Sequence, residues 1–179
     1  MKASRGFTIP ELLISVFIIV LMTAIALPNW RSGETTLALD RAAHKLGQDI
    51  RKATELAQRA QALTPPLTCV PGTISGYGVY FSISTPSYYV LYAECEGNED
   101  YGAGDTIVQT IMLENKIQLA STTTPSSFSV LFVPPVPTIT IQPADPENPD
   151  RARVILSVEG DLARSKTITI TTKGIIDID

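Results

Sequence analysis

A continuous apolar stretch near the N-terminus constrains this chain more than any other feature. Residues 7–27, "FTIPELLISVFIIVLMTAIAL", form a run of 21 residues that contains one ionisable side chain, Glu11. As an α-helix this run is about 31 Å long, which matches the hydrocarbon thickness of a bilayer. Lys2 and Arg5 precede it. The positive-inside tendency therefore predicts one span, with residues 1–6 in the cytoplasm and the rest of the chain on the other side.

The flanks of the apolar stretch argue against an ordinary secretory signal. The segment "IALPNW" at its C-terminal end offers no A-x-A cleavage pattern. The alternative cut lies between Gly6 and Phe7, where it would remove the basic leader and leave a new amine on the apolar helix. A carboxylate inside a bilayer costs a few kcal/mol, so an ionisable residue such as Glu11 indicates a function.

The string "RGFTIPELL" resembles the processing site of type IV prepilins and of the pseudopilins of type II secretion. In that family a membrane-embedded prepilin peptidase cuts after the glycine and N-methylates the new terminus. The resemblance implies that Gly6 is the cleavage position, Phe7 the methylated residue and Glu11 the acid that pairs with a neighbouring subunit's N-terminus. The alternative is a plain signal anchor in which Glu11 has no partner.

The proposed pairing is physically reasonable. Removing one partner of a buried ion pair leaves the other uncompensated, at a cost of several kcal/mol. The four-residue offset between Phe7 and Glu11 spans about 6 Å along a helix, so staggered subunits can bring one carboxylate to the next amine. Pro10 departs from the apolar residue more often found there in the family. After cleavage it would lie in the first helical turn, where its missing N–H removes no hydrogen bond.

A second helical pattern follows Pro28, which predicts a kink or a local melt. Apolar residues recur at steps of three and four, and charged residues lie on the other side. The apolar set is Leu39, Ala42, Leu46, Ile50, Ala53, Ala57, Ala60 and Leu63. This pattern predicts an amphipathic helix that "TPP" at residues 64–66 ends. Its apolar stripe suits either a coiled-coil seam or the face of a sheet.

The remaining sequence predicts short strands. They are "YGVYFSIS" and "YYVLYAEC" around "TPS", "TIVQTIML" and "KIQLAS" around "EN", then "FSVLFV", "TITIQ", "ARVILSV", "KTITITT" and "IIDID". Neighbouring short strands favour antiparallel pairing, and a helix laid on such a sheet gives an α+β, pilin-like fold. The predicted organisation is a leader at residues 1–6, a transmembrane or filament-core helix at 7–30, a stalk helix at 31–63 and an antiparallel β head at 64–179.

The order of elements in the head resembles the H-type minor pseudopilins and related fimbrial minor pilins. The segments that carry this resemblance are "LGQDIRKATELAQRAQ", "GYGVYF", "YYVLYAE", "NEDYGAGD", "MLENKIQLAS" and "KTITITTKGIIDID". It implies a minor pseudopilin, a structural subunit of a type II secretion pseudopilus that supports protein secretion. The alternatives are a minor pilin of a type IV pilus, with a role in adhesion, motility or DNA uptake, and a monomeric membrane-anchored binding module.

The resemblance also implies partners and a location. The partners are the prepilin peptidase, other pseudopilins or pilins in a hetero-oligomeric filament, an inner-membrane assembly platform, and membrane lipid before assembly. The location is the bacterial inner membrane, in a single N-in pass with the head outside the cytoplasm, followed by the filament.

Two cysteines, Cys69 and Cys95, lie on the same side of the apolar stretch. In an oxidising compartment they would form a disulfide that closes a loop of about 26 residues and adds roughly 3 kcal/mol. The alternative is two small buried hydrophobic side chains. Neither cysteine belongs to a CxxC motif, which argues against a zinc or redox site.

No sequence motif predicts a cofactor, a metal site or catalysis. Glu99, Asp100 and Asp105 lie among glycines but lack the spacing of a calcium loop, which favours a solvated turn. His44, the one histidine, is predicted on the polar side of the helix, and no GxSxG, HExxH or Walker motif is present. The sequence therefore predicts a protein that is not an enzyme.

The charge distribution argues against a nucleic-acid partner. Residues 64–150 contain one Lys or Arg against nine Asp and Glu. Five basic residues occur late in the chain, at Arg151, Arg153, Arg164, Lys166 and Lys173. Four acidic residues are interspersed among them, which favours a solvated face over a phosphate-binding one.

Overall fold

The computed structural model describes residues 8–59, 62–63, 67–69, 73–122, 126–135, 138–144 and 148–179. The chain divides into an N-terminal unit, Met1–Leu37, and a C-terminal unit, Ala38–Asp179. One helix, α1, covers Ile9–Gln58 and so belongs to both. The helix continues through Pro28, so the local melt that the sequence allows there is wrong, and the predicted kink stays a prediction. An internal proline removes only one backbone hydrogen bond, which a long helix tolerates. The helix ends at Gln58, before the predicted Leu63.

The predicted apolar stripe of α1 is the part of the helix that is buried in the C-terminal unit. Its buried residues are Ala38, Leu39, Ala42, Ala43, Leu46, Ile50, Ala53 and Ala57. The steps between them keep these residues on one helical face. The stripe packs against strands rather than against a second helix, and Leu63 is partly buried beside the same core. Ala60 lies outside the described residues.

The nine predicted strands are all present. They are β1 Gly76–Ser82, β2 Tyr88–Glu94, β3 Thr106–Met112, β4 Ile117–Thr122, β5 Ser127–Val133, β6 Thr138–Gln142, β7 Arg151–Val158, β8 Asp161–Thr171 and β9 Ile176–Ile178. The strand pairs are antiparallel, as predicted. The predicted α+β class is therefore confirmed.

The strands form two sheets rather than one. The larger sheet has the order β3-β2-β1-β5-β6, and the smaller has the order β4-β7-β8-β9. The sequence places β3 and β4 around a shared turn, but that pairing is wrong. The turn exists, with Lys116 at a positive φ of 68° and the Ile117 N–H donating to the Glu114 carbonyl. Beyond it, Ile117 and Leu119 pair with Val158 and Leu156 of β7.

Polar side chains of α1 reach both sheets from the edges of the buried stripe. On the larger sheet, the Tyr89 hydroxyl donates to Asp49 at 2.7 Å and Lys52 Nζ donates to Gln109 at 2.9 Å. On the smaller sheet, Lys166 Nζ lies 3.5 Å from Asp40. Within the C-terminal unit, α1 is thus the element that joins the two sheets into one core.

A large-to-small substitution in the stripe tests this arrangement. Leu46 is fully buried, and Leu46→Ala should lower the free energy of unfolding by about 2–5 kcal/mol because it removes apolar contacts and leaves a cavity. Urea denaturation measures the change. Leu162→Ala is the control, since that side chain is 69% exposed and should change stability by less than about 0.5 kcal/mol. Equal effects of the two substitutions would contradict the packing described.

Candidate processing and assembly segment

The start of α1 sets the surroundings of Glu11. Thr8 immediately precedes the helix, and its carbonyl accepts the Leu12 N–H at 3.2 Å. The Thr8 hydroxyl donates to Glu11 Oε2 at 3.5 Å, which is long for a hydrogen bond between oxygens. Glu11 is exposed, so its carboxylate is accessible to a partner outside the chain. Gly6 and Phe7, the predicted cleavage and methylation residues, lie outside the described residues.

The helix that follows Glu11 exposes apolar side chains on every face. The exposed fractions of these side chains run from 47% at Ile18 and Leu21 to 76% at Ile25, and Ile9, just before Glu11, is 79% exposed. One shallow apolar groove of about 490 Å³ is lined by Leu13, Ile14, Val16, Phe17 and Val20. A helix that is apolar all round is normally buried in protein or in a membrane. This segment therefore presents a surface suited to contact with other apolar partners.

The hydroxyl groups of Ser15 and Thr23 form hydrogen bonds within the helix itself. The Ser15 hydroxyl donates to the Glu11 carbonyl at 2.8 Å, and the Thr23 hydroxyl donates to the carbonyls of Ile19 and Val20 at 2.9 Å. Such bonds to the preceding turn reduce the polarity that each hydroxyl presents to its surroundings. Glu11, the one acidic side chain in residues 8–25, is therefore the main polar feature that this segment presents to its surroundings.

The predicted span at residues 7–27 begins at Phe7, outside the described residues. No helix in the described part of the chain is both long enough and apolar enough to cross a membrane.

Cys69 and Cys95 are joined by a disulfide with a Cα–Cα distance of 5.4 Å. The bond ties residues 67–69 to the end of β2, where the Thr106 hydroxyl also donates to the Thr68 carbonyl at 2.8 Å. Closing a loop of this length restricts the unfolded chain and contributes about 3 kcal/mol to stability on the loop-entropy account.

The acidic loop after Cys95 is organised by its own hydrogen bonds. Asp105 accepts the N–H groups of Cys95 at 2.9 Å and Gly102 at 2.8 Å. Asp100 accepts the Ser129 hydroxyl at 3.3 Å, and Glu99 has a positive φ of 66°. Among the described residues, no group of acidic, His or Cys side chains is arranged to hold a metal ion.

Glu94, a buried carboxylate that the sequence analysis did not single out, closes the start of this loop. Its Oε1 accepts the N–H groups of Glu96 at 3.0 Å and Gly97 at 2.8 Å. Its Oε2 is buried without a hydrogen-bond partner among the described residues. Burial raises the pKa of Glu94, Asp105 adds to the rise, and the N–H bonds oppose it. Glu94 is the last residue of β2, and nothing in the sequence around it distinguishes a buried acid there from an exposed one.

The remaining candidates lie on the surface of the C-terminal unit. His44 is exposed on α1 and lines a pocket of about 200 Å³ with Arg51 and Ile178. Of the late basic residues, Arg164 pairs with Asp161 at 2.7 Å, and Lys166 contacts Asp40 as described above.

Comparison with known families concerns the N-terminal segment. The family described as "Prokaryotic N-terminal methylation motif" matches residues 1–27. No curated protein and no solved structure matches the chain. The match covers 27 of the 179 residues, and with the α+β fold it supports a similarity of this chain to type IV pilins and pseudopilins. Prepilin-like proteins with this motif are structural subunits rather than enzymes.

The raised pKa of Glu94 gives a prediction about pH. A group that binds its proton more tightly when folded stabilises the fold below its ordinary pKa of 4.5 and loses that contribution as the pH rises through its folded pKa. Relative to Glu94→Gln, the wild-type chain should therefore lose stability as the pH rises above about 4.5.

Urea unfolding of the wild-type protein and of Glu94→Gln between pH 4 and pH 8 measures this difference in stability. The contributions of the other carboxylates to the pH dependence are common to both proteins and cancel in the difference. Glu96→Gln is the matched control, because Glu96 is an exposed acid of the same loop. A wild-type-minus-Glu94→Gln difference that stays constant with pH would contradict the prediction.

Proposed function

We propose that this chain is a prepilin that is cut between Gly6 and Phe7, N-methylated at Phe7 and assembled into a filament through the first part of α1. The single observation that carries the proposal is the all-round apolar surface of residues 9–25, with one exposed carboxylate at its start, in a chain that carries the methylation motif. The helix supplies the contact surface, and Glu11 supplies its register.

The pairing of Glu11 with a neighbour's amine follows from electrostatics. Cleavage would place an ammonium at Phe7, one helical turn before the carboxylate. In an apolar bundle each charge is costly alone, so a subunit whose Glu11 lacks a cationic partner is disfavoured. Assembly thereby selects the stagger at which each carboxylate meets the next subunit's terminus.

The finer proposal is a minor pseudopilin of a type II secretion pseudopilus. It rests on the order of elements in the head, which resembles the H-type minor pseudopilins. The partners would be the prepilin peptidase, the other pseudopilins and the inner-membrane assembly platform, and the chain would occupy the inner membrane in one N-in pass before assembly. A disulfide is typical of an oxidising compartment, which supports a head outside the cytoplasm.

A minor pilin of a type IV pilus is the second candidate, because the methylation motif is shared by pilins and pseudopilins. Adjacent genes distinguish the two. Secretion genes beside this one would support the pseudopilin, and pilus-retraction genes would support the pilin.

Processing can be tested directly. Co-expression with a prepilin peptidase should yield a chain that lacks residues 1–6 and carries one added methyl group on Phe7, as measured by mass spectrometry of the intact protein. Gly6→Leu should block the cut, since the peptidase acts after the glycine in this family. A mature protein that retains residues 1–6 would contradict the proposal.

The role of Glu11 requires a separate experiment. Glu11→Ala should be inserted and cleaved like wild type but should enter filaments at least about tenfold less efficiently, because the neighbour's ammonium is left unpaired. The measurement is the ratio of this subunit to its partners in sheared filaments.

Glu34→Ala is the matched control, since Glu34 is an exposed acid of the same helix beyond the apolar segment. Normal incorporation of Glu11→Ala would refute the pairing. Full function of the chain without any filament would instead support a monomeric anchored module.

A further inference from the structure

The larger sheet carries a second apolar cluster on the face opposite α1. Alternate residues of β2 point to the two sides: Tyr89, Leu91 and Ala93 join the core under the helix, and Val90 and Tyr92 join the other cluster. Tyr80, Tyr88 and Tyr101 pack against this second cluster and are half-buried. This face therefore bears partly exposed aromatic rings rather than a solvated polar surface.

The acidic loop holds one of these rings in place. The Cys95 disulfide, the two N–H bonds to Asp105 and the contact between Asp100 and Ser129 fix the loop at both ends and near its middle. Tyr101, in the middle of the loop, lies with its ring centroid 4.5 Å from that of Tyr80 and 5.0 Å from that of Tyr92. The loop thus positions an aromatic side chain before any ligand binds.

An open groove runs between these rings and the edge strand β3. Its volume is about 210 Å³, and its lining includes Tyr80, Tyr88, Tyr101, the threonines Thr85 and Thr110, and Ile107. Ligand pockets for larger molecules usually exceed about 300 Å³. The groove is therefore the size of one inserted side chain, with aromatic walls and hydroxyl groups at its margin.

The described residues that line the groove are all uncharged, and the acidic loop lies beside them. Residues 64–150 contain one basic residue against nine acidic ones. Asp100 precedes Tyr101 directly. Burial raises the pKa of Tyr101, and the negative charge of Asp105 adds to that rise. The Tyr101 ring is therefore close enough to Asp105 to be affected by its charge. The hydroxyl stays protonated, and the ring face keeps its attraction for a cation.

We propose that this groove, formed by Tyr80, Tyr88 and Tyr101 beside the acidic loop, binds an exposed arginine side chain of a partner protein. A guanidinium can stack on the tyrosine faces and donate to the hydroxyl oxygens that line the groove, and the negative charge of the acidic loop attracts it. A neutral peptide would gain the apolar contact without the electrostatic attraction. The proposal does not depend on filament assembly, because the groove lies within the C-terminal unit.

The test uses the full chain in detergent micelles with ¹³C-labelled tyrosine rings, followed by nuclear magnetic resonance. The probes are the peptide acetyl-Gly-Arg-Gly-amide, its Gln analogue and methyl glucoside. The Arg peptide should shift the ring signals of Tyr80, Tyr88 and Tyr101 saturably, at least about tenfold more tightly than the Gln peptide. Added salt should weaken that binding because it screens the acidic loop.

Two variants locate the site. Tyr101→Leu and Tyr88→Leu should each weaken binding of the Arg peptide about tenfold or more, because each removes one aromatic wall. Tyr88 lies outside the acidic loop, so its variant remains informative if Tyr101→Leu disturbs the loop. The Tyr89 signal, on the opposite face, reports whether the sheet is intact. Leu162→Ala removes an exposed side chain of the other sheet and should leave binding unchanged.

Each other outcome overturns the proposal. Equal binding of the Gln peptide would show that charge is not recognised. Binding of methyl glucoside alone would identify a carbohydrate site instead. Absence of saturable shifts with every probe, or wild-type binding in both tyrosine variants, would show that the groove is not an arginine site.

Discussion

The contact between the alanine-rich face of α1 and the two sheets is the constraint on which the C-terminal unit depends. The two sheets share no strand, so their relation to each other is set by what packs between and beside them. Small residues such as Ala43, Ala53 and Ala57, all fully buried, let the helix backbone lie close to the strands. A longer side chain at these positions would have to displace sheet residues from a close-packed core.

Through strand β2, the packing of α1 also determines which side chains lie on the opposite face of the larger sheet. The strict alternation of side chains means that the register that puts Tyr89 and Leu91 under α1 also puts Tyr92 on the opposite face. There its ring crosses Gly78 on β1, where an added Cβ would lie 2.5 Å from the ring atoms. The packing of the helix, the register of β2 and the placement of the aromatic groove are therefore parts of one arrangement.

Much of the fold is readable from the sequence because the decisive signals are local. The spacing of Leu39, Leu46 and Ile50 shows the buried helical face, and alternation marks the nine strands. The division into two sheets is not readable, because pairing β4 with β7 is a choice between distant segments. At the candidate site, the motif around Gly6, Phe7 and Glu11 is contiguous and hence visible. The burial of Glu94 and the aromatic groove arise only when the loop folds back.

The two units differ in how much of the apolar surface of α1 is buried within them. In residues 38–58 one stripe of α1 is apolar and the sheets cover it, so the unit buries its own hydrophobic surface. In residues 9–25 the apolar side chains surround the helix, and no described residue of the N-terminal unit covers them. At about 25 cal/mol for each Å² removed from water, their burial elsewhere is strongly favourable but indifferent to direction. Apolar contact alone therefore favours association of such helices without fixing how they align. A charged residue such as Glu11 is costly at most positions in an apolar bundle, so it restricts the alignments that the helices can adopt.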